Sequence, residues 1–124
     1  MSTSTGCDSA MSLNKFHRIA DETLDEILDV LECSDSVSQI PGNDVIYSSG
    51  VLTMHLGAQH GTWVLNKQPP TRQIWTSSPI AGPRRYELDE SEGVWKCIRE
   101  KTELRKDLQT ELRSILKDET LSFL

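Results

Sequence analysis

The sequence predicts an α+β fold: a two-layer α/β sandwich with N- and C-terminal helices packed on one face of an antiparallel five- to six-stranded sheet. Three observations predict it. Apolar residues recur with helical spacing near the start, the period switches to two through the middle, and helical spacing returns near the end. The turns between the strands are short enough for hairpins, so the middle reads as a meander. Both helices then cover one face of it, and the other face is left to water or to partners.

The elements follow in chain order. Residues 1–13 are Ser/Thr-rich, lack Arg and carry no apolar core. They fit neither a secretory signal nor an intact transit peptide, and are expected to form a disordered tail. Residues 14–124 are expected to form one domain. From Asn14 to about Ser34, the residues Phe16, Ile19, Ala20, Leu24, Ile27, Leu28 and Leu31 form one helical stripe. Ser12 or Asn14 supplies the N-cap. Ser34-Asp35-Ser36 ends the helix, and Pro41-Gly42 prevents its continuation. Strands are predicted at about 44–48, 51–56, 62–67, 72–77, 83–88 and 93–98. Gly57 to Gly61 reads as a hairpin connection. A second amphipathic helix runs from Thr102, its predicted N-cap, to about Lys117, with Leu104, Leu108, Leu112, Ile115 and Leu116 on one side. The apolar tail Leu121-Ser122-Phe123-Leu124 is expected to pack back between the two helices.

Composition narrows the function classes. The net charge of −6 disfavours nucleic acid as a partner. No apolar run approaches the roughly 20 residues of a membrane-spanning helix. Three cysteines (Cys7, Cys33 and Cys97) with no CxxC spacing point to free thiols in a reducing compartment. His17, His55 and His60 show no ligand spacing, and there is no Gly-rich phosphate loop. No catalytic constellation can be argued from residue order.

Charge is unevenly distributed. Between Lys15 and Asp35 stand seven acids against two bases, whereas between Asp44 and Glu87 there is no acid and four bases. At about 100° per residue, Asp21, Glu22, Asp25, Glu26, Asp29 and Glu32 fall within an arc of roughly 140°, opposite the apolar stripe. Like charges at i, i+4, as in Asp21–Asp25–Asp29, cost a few tenths of a kcal/mol per pair. One reading is a solvated helix face. The other is a ridge of hard oxygen ligands for cations, open on one side, so that water completes the shell and affinity is low. Asp44, at the start of the first strand, is expected to add an oxygen to it.

Alternation in the middle strands places Trp63 and Leu65 on one face and Asn66 on the other. It likewise turns Ile74 inward, and Gln73 and Trp75 outward. The outer face then carries Asn66, Gln73 and Trp75, with Gln68 and Arg85 near its edge. Trp and Arg are enriched at binding hot spots, which makes this face a candidate docking surface. Base stacking on RNA is the weaker reading, because no second outward aromatic lies in register.

The run GTWVLNKQPPTRQIWTSSP (Gly61–Pro79), followed by Gly82-Pro83-Arg84-Arg85-Tyr86, resembles the signature of eukaryotic frataxins. Phe16 to Asp25 and Gly50 to Thr53 are similar to the same family's helix and early strands. The sequence departs from the pattern at Trp63, Pro70 and His55, and matches poorly from Ser34 to Asn43. The resemblance implies a frataxin-like fold and a mitochondrial matrix protein of iron–sulfur cluster assembly, with a plastid copy as the alternative. It implies weakly bound iron, ferrous or ferric, at Asp21, Glu22, Asp25, Glu26, Asp29 and Asp44. It implies a partner surface at Asn66, Gln68, Gln73, Trp75 and Arg85 for the cysteine desulfurase complex and its iron–sulfur scaffold protein. The expected role is allosteric activation of that complex and iron donation. The alternative is a ferroxidase or iron-storage protein working through the acidic ridge. A monomer is expected, with an iron-dependent oligomer as the alternative state.

Overall fold

The computed structural model describes residues 11–124. Residues 1–10 of the expected disordered tail, with Cys7, lie outside the described residues, but residues 11–13 are ordered: the Met11 carbonyl accepts from Arg72 Nε at 3.1 Å, Ser12 caps α1 and Leu13 opens it. Six strands form one antiparallel sheet in chain order: β1 (Asn43–Ser48), β2 (Val51–Leu56), β3 (Thr62–Gln68), β4 (Gln73–Ser78), β5 (Gly82–Asp89) and β6 (Val94–Cys97). Helix α1 (Leu13–Glu32) precedes it and α4 (Leu104–Leu116) follows it. Both pack on the same sheet face, as the periodicity predicts. None of the described helices is long and apolar enough to cross a membrane.

The core lies between these layers. Leu52, Met54, Leu56, Trp63, Leu65, Ile74, Tyr86 and Trp95 point from the sheet toward Phe16, Ala20, Leu24, Ile27 and Leu31 of α1 and Leu104, Leu108 and Leu112 of α4. Fully burying each large side chain contributes about 1.5–3 kcal/mol. The buried indoles keep hydrogen-bond partners, as burial demands. Trp63 Nε1 donates to Glu111 at 2.9 Å, and Trp95 Nε1 to Thr23 Oγ1 at 3.0 Å.

Ser12 is the N-cap of α1, its hydroxyl accepting from Lys15 N at 3.1 Å. After Glu32 the chain makes a further helical turn, α2 (Asp35–Ser38), capped by Ser34. The Gly57 to Gly61 connection is also helical, α3 (Gly57–His60). Gly57 has φ +83, and a Cβ there would stand 2.8 Å from Ile40 Cγ2. That position accepts only glycine without rearrangement.

Thr102 is not the N-cap of α4. Glu103 occupies that position, and Thr102 Oγ1 donates to Asp107 at 2.7 Å. Asp107 is the hub of a clasp between β5 and α4. Tyr86 OH donates to it at 2.6 Å, and Arg84 reaches Glu100 at 2.8 Å, Glu111 at 3.2 Å and Asp107 at 3.6 Å. Burial, then the hydrogen bond to Asp107, pushes the Tyr86 phenol well above its ordinary range.

The C-terminal segment folds back. Leu121 and Phe123 are buried, and Arg113 Nε donates to the Leu121 carbonyl at 2.7 Å. Arg105 of α4 ties the helical layer together, donating to the Phe123 carbonyl at 3.2 Å and to Glu26 of α1 at 2.5 Å.

Candidate functional site

The sheet's second face carries no helix. Cross-strand register aligns Val51, Asn66, Trp75 and Arg85 in one row across β2 to β5. Gln68, Gln73 and Glu87 form the next row, and Thr53, Val64, Ser77 and Pro83 the row on the other side. All five partner-surface residues read from the sequence therefore share this face. They are not equally accessible. Arg85 is exposed, and Asn66, Gln68 and Trp75 are half-buried.

Gln73 departs from expectation. It faces outward by register, yet it is 8% exposed. Its amide is occupied at both ends: Trp75 Nε1 donates to Oε1 at 2.6 Å, and Nε2 donates to Glu87 at 3.2 Å. Gln73 thus offers a partner little surface, and its amide already holds the indole. It orients the indole. The other side of that ring is covered by Arg85, whose guanidinium carbon lies 4.7 Å from the ring centroid. Such cation–π contacts stabilise by about 0.5–1 kcal/mol at exposed sites. Trp75 is therefore held in position by Gln73 of its own strand and Arg85 of β5.

On α1, the acids form one face, as helical spacing predicts. Glu22, Asp25, Glu26, Asp29 and Glu32 are exposed, and Asp21 is half-buried. The two acids at the borders of the arc are bound within the molecule. Asp21 meets Lys67 of β3 at 2.8 Å and accepts from Tyr47 OH of β1. Glu26 is held by Arg105. Burial raises the Asp21 carboxyl, but the hydrogen bonds from Lys67 and Tyr47 and the Lys67 charge outweigh it, and the group sits below its ordinary range. Lys67 also meets His17 Nδ1 at 2.9 Å. Among the described residues, Glu22, Asp25, Asp29 and Glu32 have no ion-pair partner.

Asp44 does not extend this ridge. In β1 the side chains of Val45 and Tyr47 turn to the helices, as the Tyr47–Asp21 hydrogen bond shows. Alternation then puts Asp44 on the open face, across from His55 of β2. Among the described residues no three His, Cys, Asp or Glu side chains converge as a metal cage. The free carboxylates can hold a hydrated hard cation from one side only, and weakly.

Lys67, Arg105, Tyr47 and Glu87 are the site residues that sequence reasoning missed. An isolated lysine in a strand gives no local signal of its partner. For Lys67, the available clue was its parity with Trp63 and Leu65, which turns it toward α1.

The Frataxin-like domain model matches residues 9–118. The mitochondrial frataxin homolog of Drosophila melanogaster is 40% identical over 120 residues, covering 94% of this chain and 63% of the fly protein. The mitochondrial frataxin of Caenorhabditis elegans is 40% identical over 113 residues, covering 90% of this chain and 82% of the worm protein. The chain thus spans less than two thirds of the fly relative's length. The crystal structure of trimeric frataxin from Saccharomyces cerevisiae, complexed with ferrous iron, is similar at TM-score 0.69 and 40% identity, over 81% of this chain and 87% of the yeast chain.

Proposed function

The chain belongs to the frataxin family, and from that premise we propose that it serves iron–sulfur cluster assembly, docking its open sheet face on the cysteine desulfurase–scaffold complex and activating it. Its relatives are mitochondrial proteins, and it shares that compartment.

The observation that carries the reading is the row Asn66–Trp75–Arg85 on the uncovered sheet face, with the indole held between Gln73 and the Arg85 guanidinium. A half-buried tryptophan on a polar face gains most from a partner that buries the rest of it. Asn66, Gln68 and Arg85 surround it with hydrogen-bonding groups that fix the register of the partner. Gln73 acts chiefly through Trp75.

Iron is cargo in this proposal. Glu22, Asp25 and Asp29 offer unpaired carboxylates to ferrous or ferric ions. Asp21 and Glu26 compete for the same ions only by giving up Lys67 and Arg105. The acidic face also steers a basic surface of the desulfurase toward encounter, an effect that weakens with salt.

The test is a desulfurase assay with purified partners. Trp75→Ala should leave the melting temperature of the domain within a few degrees, because the indole is not part of the core. It should weaken stimulation by roughly 10-fold or more, the effect of losing a binding hot spot. Unchanged stimulation by a folded Trp75→Ala protein would refute the docking surface.

A further inference from the structure

A six-stranded sheet has two edges, and among the described residues only one of them is closed by the chain itself. At β6, Cys97 N donates to the Thr102 carbonyl at 2.7 Å, Lys101 N donates to the Cys97 carbonyl at 2.8 Å, and Lys96 bridges Glu103. At the other edge, β1 pairs with β2 alone. Two bonds further in decide which of its backbone groups stay open. Leu56 N donates to the Gly61 carbonyl and Lys67 N to the Gly50 carbonyl, both at 2.9 Å. The even-numbered residues of β2 therefore bond toward β3, and the odd-numbered ones toward β1. In the β1–β2 register, Val51, Thr53 and His55 then bond Ser48, Ile46 and Asp44. The N–H and C=O groups of Val45 and Tyr47 point off the sheet, and among the described residues they have no backbone partner.

Strand β1 also lacks most devices that blunt an edge. Asn43–Ser48 holds no proline, lysine or glycine, and it pairs with β2 residue for residue without a bulge. Val45, Ile46 and Tyr47 are strong strand formers. Ile46 is 51% exposed, next to Asp44 on the open face. On the helix side the edge is acidic. Asp21 accepts from the Tyr47 hydroxyl, and Asp25 stands one turn further along α1. Burial, then Asp21 and the charge of Asp25, pushes the Tyr47 phenol above its ordinary range. Asp25 and Asp44 are exposed, and among the described residues neither has an ion-pair partner.

We propose that β1 receives an extended, basic segment of a partner protein as a further strand, antiparallel to it and hydrogen-bonded to Val45 and Tyr47. Unpaired N–H and C=O groups recognise extended backbone, as in other cases of strand addition. Residues of the incoming strand opposite Val45 and Tyr47 turn to the helix side, where Asp25 selects lysine or arginine. The residue between them lies across from Ile46 on the open face, which favours an apolar side chain. A second copy of the chain would bring its own acids to the same edge, so charge selects against it. The β1 edge lies apart from the docking row Asn66–Trp75–Arg85 on β3 to β5, and the probe below contains neither desulfurase nor scaffold.

The experiment is an amide NMR titration with capped five-residue peptides. One alternates lysine with isoleucine, beginning and ending on lysine, and a second has glutamate in place of lysine. The lysine peptide should give saturable shifts centred on Asp44 to Ser48. It should bind about 10-fold tighter or more than the glutamate peptide, the effect of one charge-assisted hydrogen bond. Methylating the lysine backbone nitrogens, which face β1, should weaken binding by about 10-fold or more. Methylating the isoleucine nitrogens, which face away, should not. Asp25→Lys should lose the preference for lysine, whereas Glu92→Lys, the same charge change in the β5–β6 turn, should keep it. The proposal is overturned if the lysine and glutamate peptides bind alike, or if the lysine-methylated peptide binds as tightly as its parent, a contact of charge without strand addition. It is equally overturned if the shifts centre elsewhere or do not saturate at millimolar concentration. Shifts in β1 on raising the concentration of the protein alone would overturn it as well, because a second copy would then fill the edge.

Discussion

Gln73 and Asp44 show what alternation determines and what it leaves open. Period two correctly assigns Gln73 to the open face, but a face does not specify exposure. Trp75 and Glu87 cover and bind the Gln73 amide, and both contacts depend on cross-strand neighbours. Asp44 was misplaced for a different reason: nearness in sequence to the helix end outweighed parity, although Tyr47 three residues on has the inward character that sets it. The locked amide leads to a prediction at this scale. Gln73→Ala should cost about 1–2 kcal/mol in urea unfolding, the loss of a buried hydrogen-bonding group. The freed indole should become more accessible to acrylamide, read as tryptophan quenching. Quenching equal to that of the parent protein would mean that Arg85 alone holds the ring.

The regular elements were largely legible, because each announces itself by a run of periodic residues. The three short turns were not. Helix α3 exists because Gly57 and Gly61 adopt left-handed φ values of +83 and +87 beneath Ile40 and Pro79, and those contacts are tertiary. The same holds for α2 and for the 3₁₀ turn Pro69–Thr71, which Arg72 ends at φ +55. The attachment of α4 was equally hidden, since Arg84 reads as one more basic residue of a strand. Its partners Asp107 and Glu111 have side chains only 14% and 11% exposed. Removing the guanidinium would leave two poorly solvated carboxylates facing each other. Arg84→Ala should therefore lower unfolding stability by roughly 2–4 kcal/mol. Denaturant melts measure it, and Arg84→Lys should restore only part of the loss, because a lysine cannot reach three carboxylates in a fork.

Across the whole molecule, folding partly cancels the uneven charge of the sequence. The acids gather on α1, while of the bases between Asp44 and Glu87, Lys67 and Arg84 turn to the helices and pair there, and Arg85 stands on the sheet's open face. The ridge as a set of residues was legible from helical spacing. Its internal neutralisation was not, because Arg105 and Glu26 are 79 residues apart. The unpaired carboxylates that remain repel one another, and that repulsion can be relieved by any hard cation. Millimolar magnesium should raise the melting temperature relative to sodium chloride of equal ionic strength. The increase should be smaller in an Asp25→Asn, Asp29→Asn double variant. Equal melting temperatures in the two salts would show that the ridge is already relaxed.

The sheet's strand order has a kinetic consequence as well. Each strand pairs with the one made just before it, so hairpins can close in succession at little loop-closure cost. The long-separation meetings, such as that between α1 and α4, come afterwards and bear most of the entropy of closing the chain. Strand order thus predicts that the helical layer consolidates last and loosens first. Removing the Arg105 link by Arg105→Ala should then speed unfolding and leave the folding rate nearly unchanged, read from the two limbs of a urea chevron.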